Sequence, residues 1–294
     1  MTRNDQSRAV VDVQRFHSVI SASDLLSKAG TDDWCIVDCR FDLMAPEKGH
    51  KDFVAGHIPG AVHANLDTDL SGRIRSDSGR HPLPDPEKFA QALGRWGISN
   101  QSQVIAYDYA NGAIAARLWW MLRWLGHADV AVLNGGIAAW TKAGGPSERA
   151  EVRPSQARFT PHPDDAVVLE TSELLRNSQD IRLLDARDRN RFQGLSEPID
   201  AVAGHIPGAS NLPFSELLTT DGQFLAAEAL RDRLLAVLGH AAARPWAAMC
   251  GSGVTACHLA LAAEIAGIAR PRVYVGSWSE WIRDPDRPVG TGAD

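Results

Sequence analysis

The sequence predicts two similar α/β domains in tandem, each a mainly parallel sheet flanked by helices. Three observations predict this architecture. The chain has 294 residues, enough for two cores, and its short apolar strands alternate with helical segments. The hexapeptide Gly-His-Ile-Pro-Gly-Ala also occurs twice, beginning at Gly56 and at Gly204. Because other matches keep nearly the same offset, an internal duplication explains the pattern better than chance.

Corresponding elements follow one another in the same order in both halves. The first half gives strands at 36–38, 104–107 and 130–133, with a helix at about 115–125. The second half gives strands at 183–185, 246–249 and 272–275, with a helix at 254–266. Strands that alternate with helices are typical of a parallel sheet, so each half is predicted to fold around one.

A polar run rich in glycine and proline, from 144 to 163, separates the halves before apolar patterning resumes at Val167. We therefore predict a first domain over 1–145, a linker over 146–166 and a second domain over 167–294. Ligands of such paired domains favour the carboxyl ends of the strands and the interdomain cleft.

Composition excludes several classes of partner. The net charge is -6 without long charge runs, so neither nucleic acid nor an acidic membrane is expected as a partner. No stretch approaches the roughly 18 apolar residues of a membrane span, and the first eight residues lack an apolar signal region, which together predict a cytoplasmic protein. The four cysteines have spacings unlike those of zinc sites, so reduced thiols, no metal and no cofactor are expected.

Cys250 lies where a buried strand is predicted to end and a helix to begin. Gly251 and Gly253 let the backbone turn tightly enough to point N–H groups inward. Backbone amides and a helix N-terminus stabilise negative charge on sulfur, so this position suits a reactive thiolate.

Three chemistries use such a thiol. A cysteine phosphatase needs an arginine about six residues after the cysteine, where this chain has Ala256. A Cys-His hydrolase needs a base within reach, and His258 lies about two helical turns away, where a capped or solvated residue is expected. Sulfur transfer needs neither residue, because a cradle of amides can itself favour the thiolate and the persulfide.

From Cys250 the chain reads Cys-Gly-Ser-Gly-Val-Thr-Ala-Cys, and this loop resembles the active-site loop of the two-domain rhodanese-type sulfurtransferases. Its neutral Gly251-Ser252 pair is similar to that of the 3-mercaptopyruvate sulfurtransferases. The resemblance implies two rhodanese-like domains, of which the first is catalytically silent; Asp108 stands there opposite Cys250. It also implies that Cys250 carries the sulfur and that the loop residues bind the donor, namely Gly251, Ser252, Gly253, Val254 and Thr255.

Two further residues enter through the same resemblance. An Arg-Phe-x-Gly motif in the family holds the donor's anionic end, which here is Arg191. The mercaptopyruvate-specific members have a second arginine nine residues on, where this chain has Asp200. In some members a first-domain histidine assists, which makes His57 a candidate for donor binding. His57 and His205 occupy equivalent positions in the two halves, however, which favours a shared turn over catalysis.

The sequence thus predicts a sulfurtransferase that moves sulfur from 3-mercaptopyruvate, through a Cys250 persulfide, to cyanide or to a thiol such as that of thioredoxin. Thiosulfate as donor and a non-enzymatic persulfide carrier remain alternatives. The neutral loop favours a monoanionic donor over the thiosulfate dianion.

Overall fold

The structure, a computed structural model, describes residues 14–28, 33–150, 152–177, 180–239 and 245–292. Within them the chain forms two five-stranded sheets, and all pairs of strands in these sheets are parallel. The predicted α/β fold with two parallel sheets is therefore confirmed.

Each sheet is formed by one half of the chain. The first contains β1 (Val19–Ile20), β2 (Trp34–Asp38), β3 (Val62–His63), β4 (Gln103–Tyr107) and β5 (Val130–Leu133). The second contains β6 (Val168–Leu169), β7 (Arg182–Asp185), β8 (Ser210–Asn211), β9 (Trp246–Met249) and β10 (Arg272–Tyr274). The central strands β4 and β9 are buried at every residue, as expected for strands covered by helices on both faces.

Helices cover both sheets. The first half has α1 (Ala22–Ser27), α2 (Glu47–Ala55), α3 (Pro86–Arg95), α4 (Ala115–Trp124) and α5 (Gly136–Lys142). The second has α6 (Thr171–Asn177), α7 (Arg189–Phe192), α8 (Ala227–Leu238), α9 (Val254–Ile265) and α10 (Ser277–Trp281). Local sequence sets some of these limits: α3 begins where Asp85 caps the amide of Lys88 and Pro86 occupies the first turn. None of the helices in the described ranges has the length and apolar character to cross a membrane.

The two sheets share one topology. Their strand orders are β1-β5-β4-β2-β3 and β6-β10-β9-β7-β8, which match strand by strand. The repeat extends to side chains, because the strand-end carboxylates Asp38 and Asp185 each pair with the arginine two residues on, Arg40 and Arg187. The internal duplication is therefore confirmed.

The helices that follow the two central strands, α4 and α9, pack against each other between the sheets. Their apolar side chains belong to one continuous cluster that includes Trp119 and Leu259, both fully buried. This contact fixes the two domains relative to each other and brings the carboxyl ends of β4 and β9 to the same region.

Candidate active site

Cys250 directly follows β9, and α9 begins four residues later, as the sequence predicted. Gly253 makes the turn with φ of +79°, and a Cβ there would collide with the carbonyl oxygen of Val275. The amide of Cys250 donates to the Ser277 hydroxyl at 3.0 Å. Ser277 is the one non-glycine residue of the described ranges with a positive φ, 54°. The loop is thus held by close packing at Gly253 and by the hydrogen bond at Cys250. Ser277, which accepts that bond, has a strained backbone conformation.

A cavity of about 270 Å³ opens between the domains at Cys250. The proposed loop residues Gly251, Ser252, Val254 and Thr255 line it, whereas Gly253 turns the loop without lining it. Its walls are largely apolar, with Phe41, Leu66 and Phe214 among them. Apolar walls lower the local dielectric, which strengthens the interaction between an anionic ligand and any charged group in the cavity.

Arg191, proposed in the sequence analysis as a donor-binding residue, lines the same cavity. Its Nε donates to Glu197 at 2.9 Å, and its Nη2 pairs with Asp200 at 3.1 Å. Burial acts to raise the pKa of the Glu197 carboxyl, but the hydrogen bond from Arg191 and local amides hold it below its usual value. The carboxylates of Glu197 and Asp200 therefore orient the guanidinium group of Arg191, which still lines the cavity.

The first domain contributes a histidine that sequence reasoning missed. His81 Nδ1 lies 2.7 Å from the hydroxyl of Ser252, and its Nε2 lies 3.1 Å from Asp67 Oδ1. Because an ionised carboxylate only accepts, Nε2 donates to Asp67 and Nδ1 accepts the proton of Ser252. The three side chains form a relay that ends two residues from Cys250.

The environment of His81 keeps its ring neutral at physiological pH. Burial lowers the pKa of His81 to about 4, and the neighbouring guanidinium of Arg117 acts in the same direction. Asp67 opposes this shift without reversing it. A neutral ring with a free lone pair at Nδ1 can accept the Ser252 proton and return it, which is what a proton relay requires.

The duplication contained a signal for His81 and for Arg80, which also lines the cavity. The helix after His81, α3, corresponds to α8 at an offset of 141 residues, so His81 corresponds to Gly222 and the second half has no histidine there. Residues present in both halves serve the shared fold, whereas polar residues found in one half are free to serve a site.

The structure does not bring His57 to the cavity. His57 stacks on Phe53 at 3.9 Å between ring centroids, and its Nδ1 contacts the Phe53 carbonyl oxygen at 2.7 Å. His205 repeats the arrangement on Phe192, at 3.8 Å and 2.8 Å. Both histidines thus hold the turn that precedes Ile-Pro-Gly, and the geometry gives His57 no contact with the reacting groups.

His258 is a correction to the sequence reading, which expected a capped or solvated helix residue. It is fully buried, stacks on Phe224 and contacts the Asn111 carbonyl oxygen of the other domain at 3.1 Å. Burial lowers the pKa of His258 to about 3. The helix faces the first domain at this position, which periodicity alone did not reveal.

The equivalent loop of the first domain shows how the backbone amides of such a loop bind a carboxyl group. Asp108 directly follows β4, and its carboxylate accepts N–H bonds from Gly112, Ile114 and Ala115 at 3.0 to 3.2 Å. Burial raises the pKa of the Asp108 carboxyl in spite of these bonds. The Asp108 side chain fills its own cradle of amides, so the first domain has a carboxyl group in the place of a nucleophile.

Replacing Asp108 with alanine is expected to cost stability and to leave the chemistry of the folded protein intact. Three amides, those of Gly112 and Ala115 buried and that of Ile114 partly buried, would lose their acceptor, which costs about 2 kcal/mol or more. Urea unfolding measures the loss, with Asp77→Ala as control because Asp77 is three-quarters exposed. An Asp108→Ala protein that folds fully but transfers no sulfur would contradict a single active site.

No group of three or more His, Cys, Asp or Glu side chains in the described part of the chain is arranged to hold a metal ion. The chemistry available at the cavity is that of a thiol, a proton relay and arginines.

Comparison with known proteins agrees with a site built on a cysteine loop between two α/β domains. A model of the rhodanese-like domain matches residues 21–143 and 169–284. The chain belongs to the rhodanese-like family, whose two-domain members include named sulfurtransferase enzymes.

The similarity extends over almost the whole chain. It is 45% identical over 278 residues to a Pseudomonas aeruginosa protein named as a probable 3-mercaptopyruvate sulfurtransferase, covering 93% of this chain and 98% of that protein. It is 37% identical over 255 residues to the thiosulfate sulfurtransferase of Gallus gallus, covering 84% and 86%. The structure superposes on the 3-mercaptopyruvate sulfurtransferase of Leishmania major with a TM-score of 0.80 and 31% identity, covering 90% and 74%.

Proposed function

We propose that this sulfurtransferase takes the sulfur atom of 3-mercaptopyruvate and passes it, as a persulfide on Cys250, to a thiol or cyanide. The observation that carries the proposal is the relay from Asp67 through His81 to Ser252, which ends in the cavity of Cys250. A proton relay serves a donor whose leaving group must be protonated, and mercaptopyruvate is such a donor.

The proposed reaction balances without any cofactor. The Cys250 thiolate attacks the donor sulfur, an S–S bond forms, and the C–S bond breaks with its electron pair passing to carbon as the enolate of pyruvate. The proton of the donor's S–H group passes through Ser252 and His81 to that carbon. The products are pyruvate and the Cys250 persulfide anion, and the loop amides stabilise the latter as those of Asp108 stabilise a carboxylate.

Charge in the cavity supports a monoanionic donor. Three arginines line the cavity and each is paired with a carboxylate, Arg80 and Arg191 with Asp200 and Arg187 with Asp185. A site whose charges cancel, among apolar walls, penalises the burial of a dianion more than that of a monoanion. Mercaptopyruvate has one negative charge near neutral pH, whereas thiosulfate has two.

The acceptor reaches the persulfide from the open side of the cavity. Leu43 and Ile199 line the cavity and are each more than a third exposed, so this side faces solvent. Small thiols and cyanide fit such an opening, and we extend the proposal to the exposed thiol of a thioredoxin-type protein. A coupled assay in which thioredoxin is the sole acceptor tests this extension; absence of turnover would contradict it.

We also propose a cytoplasmic location. All four cysteines are free, which suits a reducing compartment. Cell fractionation with an antibody to the protein tests this assignment, and recovery in a periplasmic or secreted fraction would contradict it.

Wild-type enzyme is expected to prefer mercaptopyruvate over thiosulfate by about tenfold or more in kcat/KM, a factor equal to about 1.4 kcal/mol. The measurement is the initial rate with each donor and a common acceptor, together with pyruvate formation over many turnovers. A preference for thiosulfate would contradict the assigned donor. A single stoichiometric burst of pyruvate would indicate a carrier of persulfide instead of an enzyme.

A further inference from the structure

Of the three arginines that line the cavity, Arg187 is paired with the buried Asp185, and one, Arg80, comes from the catalytically silent domain. Arg80 and Arg191 both line the cavity of Cys250, one from each half of the chain. The sequence places Asp200 nine residues after Arg191, so the second domain offers no further guanidinium at that point. Arg80 supplies one from across the domain interface.

The position of Arg80 is fixed by contacts with the second domain on both sides of it. A Cβ on Gly79 would lie 2.5 Å from the Gly276 carbonyl oxygen, so the backbones are in close contact. The amide of Arg80 donates to Ser279 Oγ at 3.0 Å, and the next residue, His81, bonds to Ser252. Three successive residues of the first domain are therefore anchored against the catalytic loop and α10.

Both guanidinium groups converge on the residue next to the nucleophile. A Cβ built on Gly251 would lie 3.1 Å from Arg80 Nη2 and 3.4 Å from Arg191 Nη2. The two cations thus flank one point of the loop, adjacent to Cys250. The two oxygens of a carboxylate can accept from different guanidinium groups, so a pair of guanidinium groups at one point is suited to a single carboxylate.

Asp200 demonstrates that this pair holds a carboxylate. Its two oxygens pair with Arg80 and, at 3.1 Å, with Arg191 Nη2. Burial raises the pKa of the Asp200 carboxyl despite both arginines. Arg80 also retains donor capacity, because its Nε is buried and has no hydrogen-bond partner among the described residues.

We propose that Arg80 and Arg191 together bind the carboxylate of the 2-oxo acid donor, with Arg80 supplied by the silent domain. The inference rests on the proposed function and deepens it, since it assigns the first domain a part in donor recognition. It also explains why that domain is retained without a nucleophile: its segment 79–81 supplies both a donor-binding arginine and the histidine of the relay.

The test compares mercaptopyruvate with 1-mercaptopropan-2-one, in which a methyl group replaces the carboxylate. The measured quantity is the ratio of the two kcat/KM values. Arg80→Ala is expected to lower this ratio about tenfold to a hundredfold, as is Arg191→Ala, because each loses a charge-assisted hydrogen bond to the carboxylate. Arg80→Lys should recover only part of the ratio, since an ammonium lacks the planar fork.

The matched control is Arg75→Ala, which removes one positive charge five residues before Arg80, at a position that does not line the cavity. The Arg75 side chain is 67% exposed and pairs with Asp77, so the ratio should stay at the wild-type value. An unchanged ratio in Arg80→Ala, or equal losses with both donors, would overturn the proposal. If Arg80→Ala fails to fold, Arg80→Gln serves in its place, because its amide can still bond to Asp200.

Binding of pyruvate tests the role of Arg80 independently of the proposed function. A wild type that does not process mercaptopyruvate would contradict the proposed function. Calorimetric titration with pyruvate would then still decide the role of Arg80. Weaker binding by Arg80→Ala, with Arg75→Ala unchanged, supports carboxylate recognition, and equal affinities in all three proteins would overturn it.

Discussion

Replacing Cys250 with serine is expected to abolish sulfur transfer from either donor. A hydroxyl oxygen is not an anion at neutral pH and forms no stable bond to sulfane sulfur, so no intermediate accumulates. After treatment with donor, the intact mass of the wild type should rise by one sulfur atom, and that of Cys250→Ser should not change. Cys250 lines the cavity, and serine is nearly isosteric with cysteine, so the substitution tests chemistry more than packing.

Cys257→Ser is the matched control for this experiment. Cys257 is fully buried, and burial raises the pKa of its thiol to about 12, so it remains protonated. Its sulfur lies 3.2 Å from the Gly253 carbonyl oxygen, and a serine hydroxyl can donate to the same oxygen. The control should keep both the mass adduct and turnover. An adduct that persists in Cys250→Ser, or disappears in Cys257→Ser alone, would place the nucleophile elsewhere.

Replacing His81 with alanine is expected to reduce kcat/KM for mercaptopyruvate by about a hundredfold or more, the usual contribution of a positioned acid-base group. The thiosulfate reaction should change little, because sulfite leaves as an anion and needs no proton from the enzyme. Ser252→Ala should show the same selectivity, and the double variant should lose no more than the more damaging single one, since both residues act in one relay. The measurement is kcat/KM for both donors in each variant.

The thiosulfate reaction is the internal control, because misfolding would lower both activities together. The pH profile gives a second readout. His81 has a pKa of about 4 and is therefore in its accepting, neutral form throughout the range from pH 6 to 8. The wild-type profile should show no inflection near 6.5, the ordinary pKa of histidine. Equal losses with both donors would contradict the relay, and a wild-type inflection near 6.5 that His81→Ala removes would contradict a ring that is neutral throughout this range.

Several features of the fold were predictable from sequence because they depend on local pattern. Buried strands such as Trp246–Met249 are continuous apolar runs, and the helix after Cys250 contains few residues that oppose a helix. The predicted helix at 254–266 ends at Ile265, and the predicted strand at 272–275 ends at Tyr274. Strand and helix ends depend on hydrogen bonds that pattern does not specify, which accounts for these differences of one residue.

By itself, the sequence determined the duplicated α/β fold, the position of the thiol between a strand and a helix, and Arg191 beside it. These follow from periodicity, from glycines that permit a tight turn, and from a motif within one domain. Only the tertiary structure decided the rest of the site. Arg80 and His81 lie about 170 residues from Cys250 along the chain and reach it because α4 and α9 pack the two domains together. It also placed His57 on Phe53, away from the cavity, and buried His258 between the domains. A contact across a domain interface depends on how two folded surfaces fit, and no local pattern of residues encodes that fit.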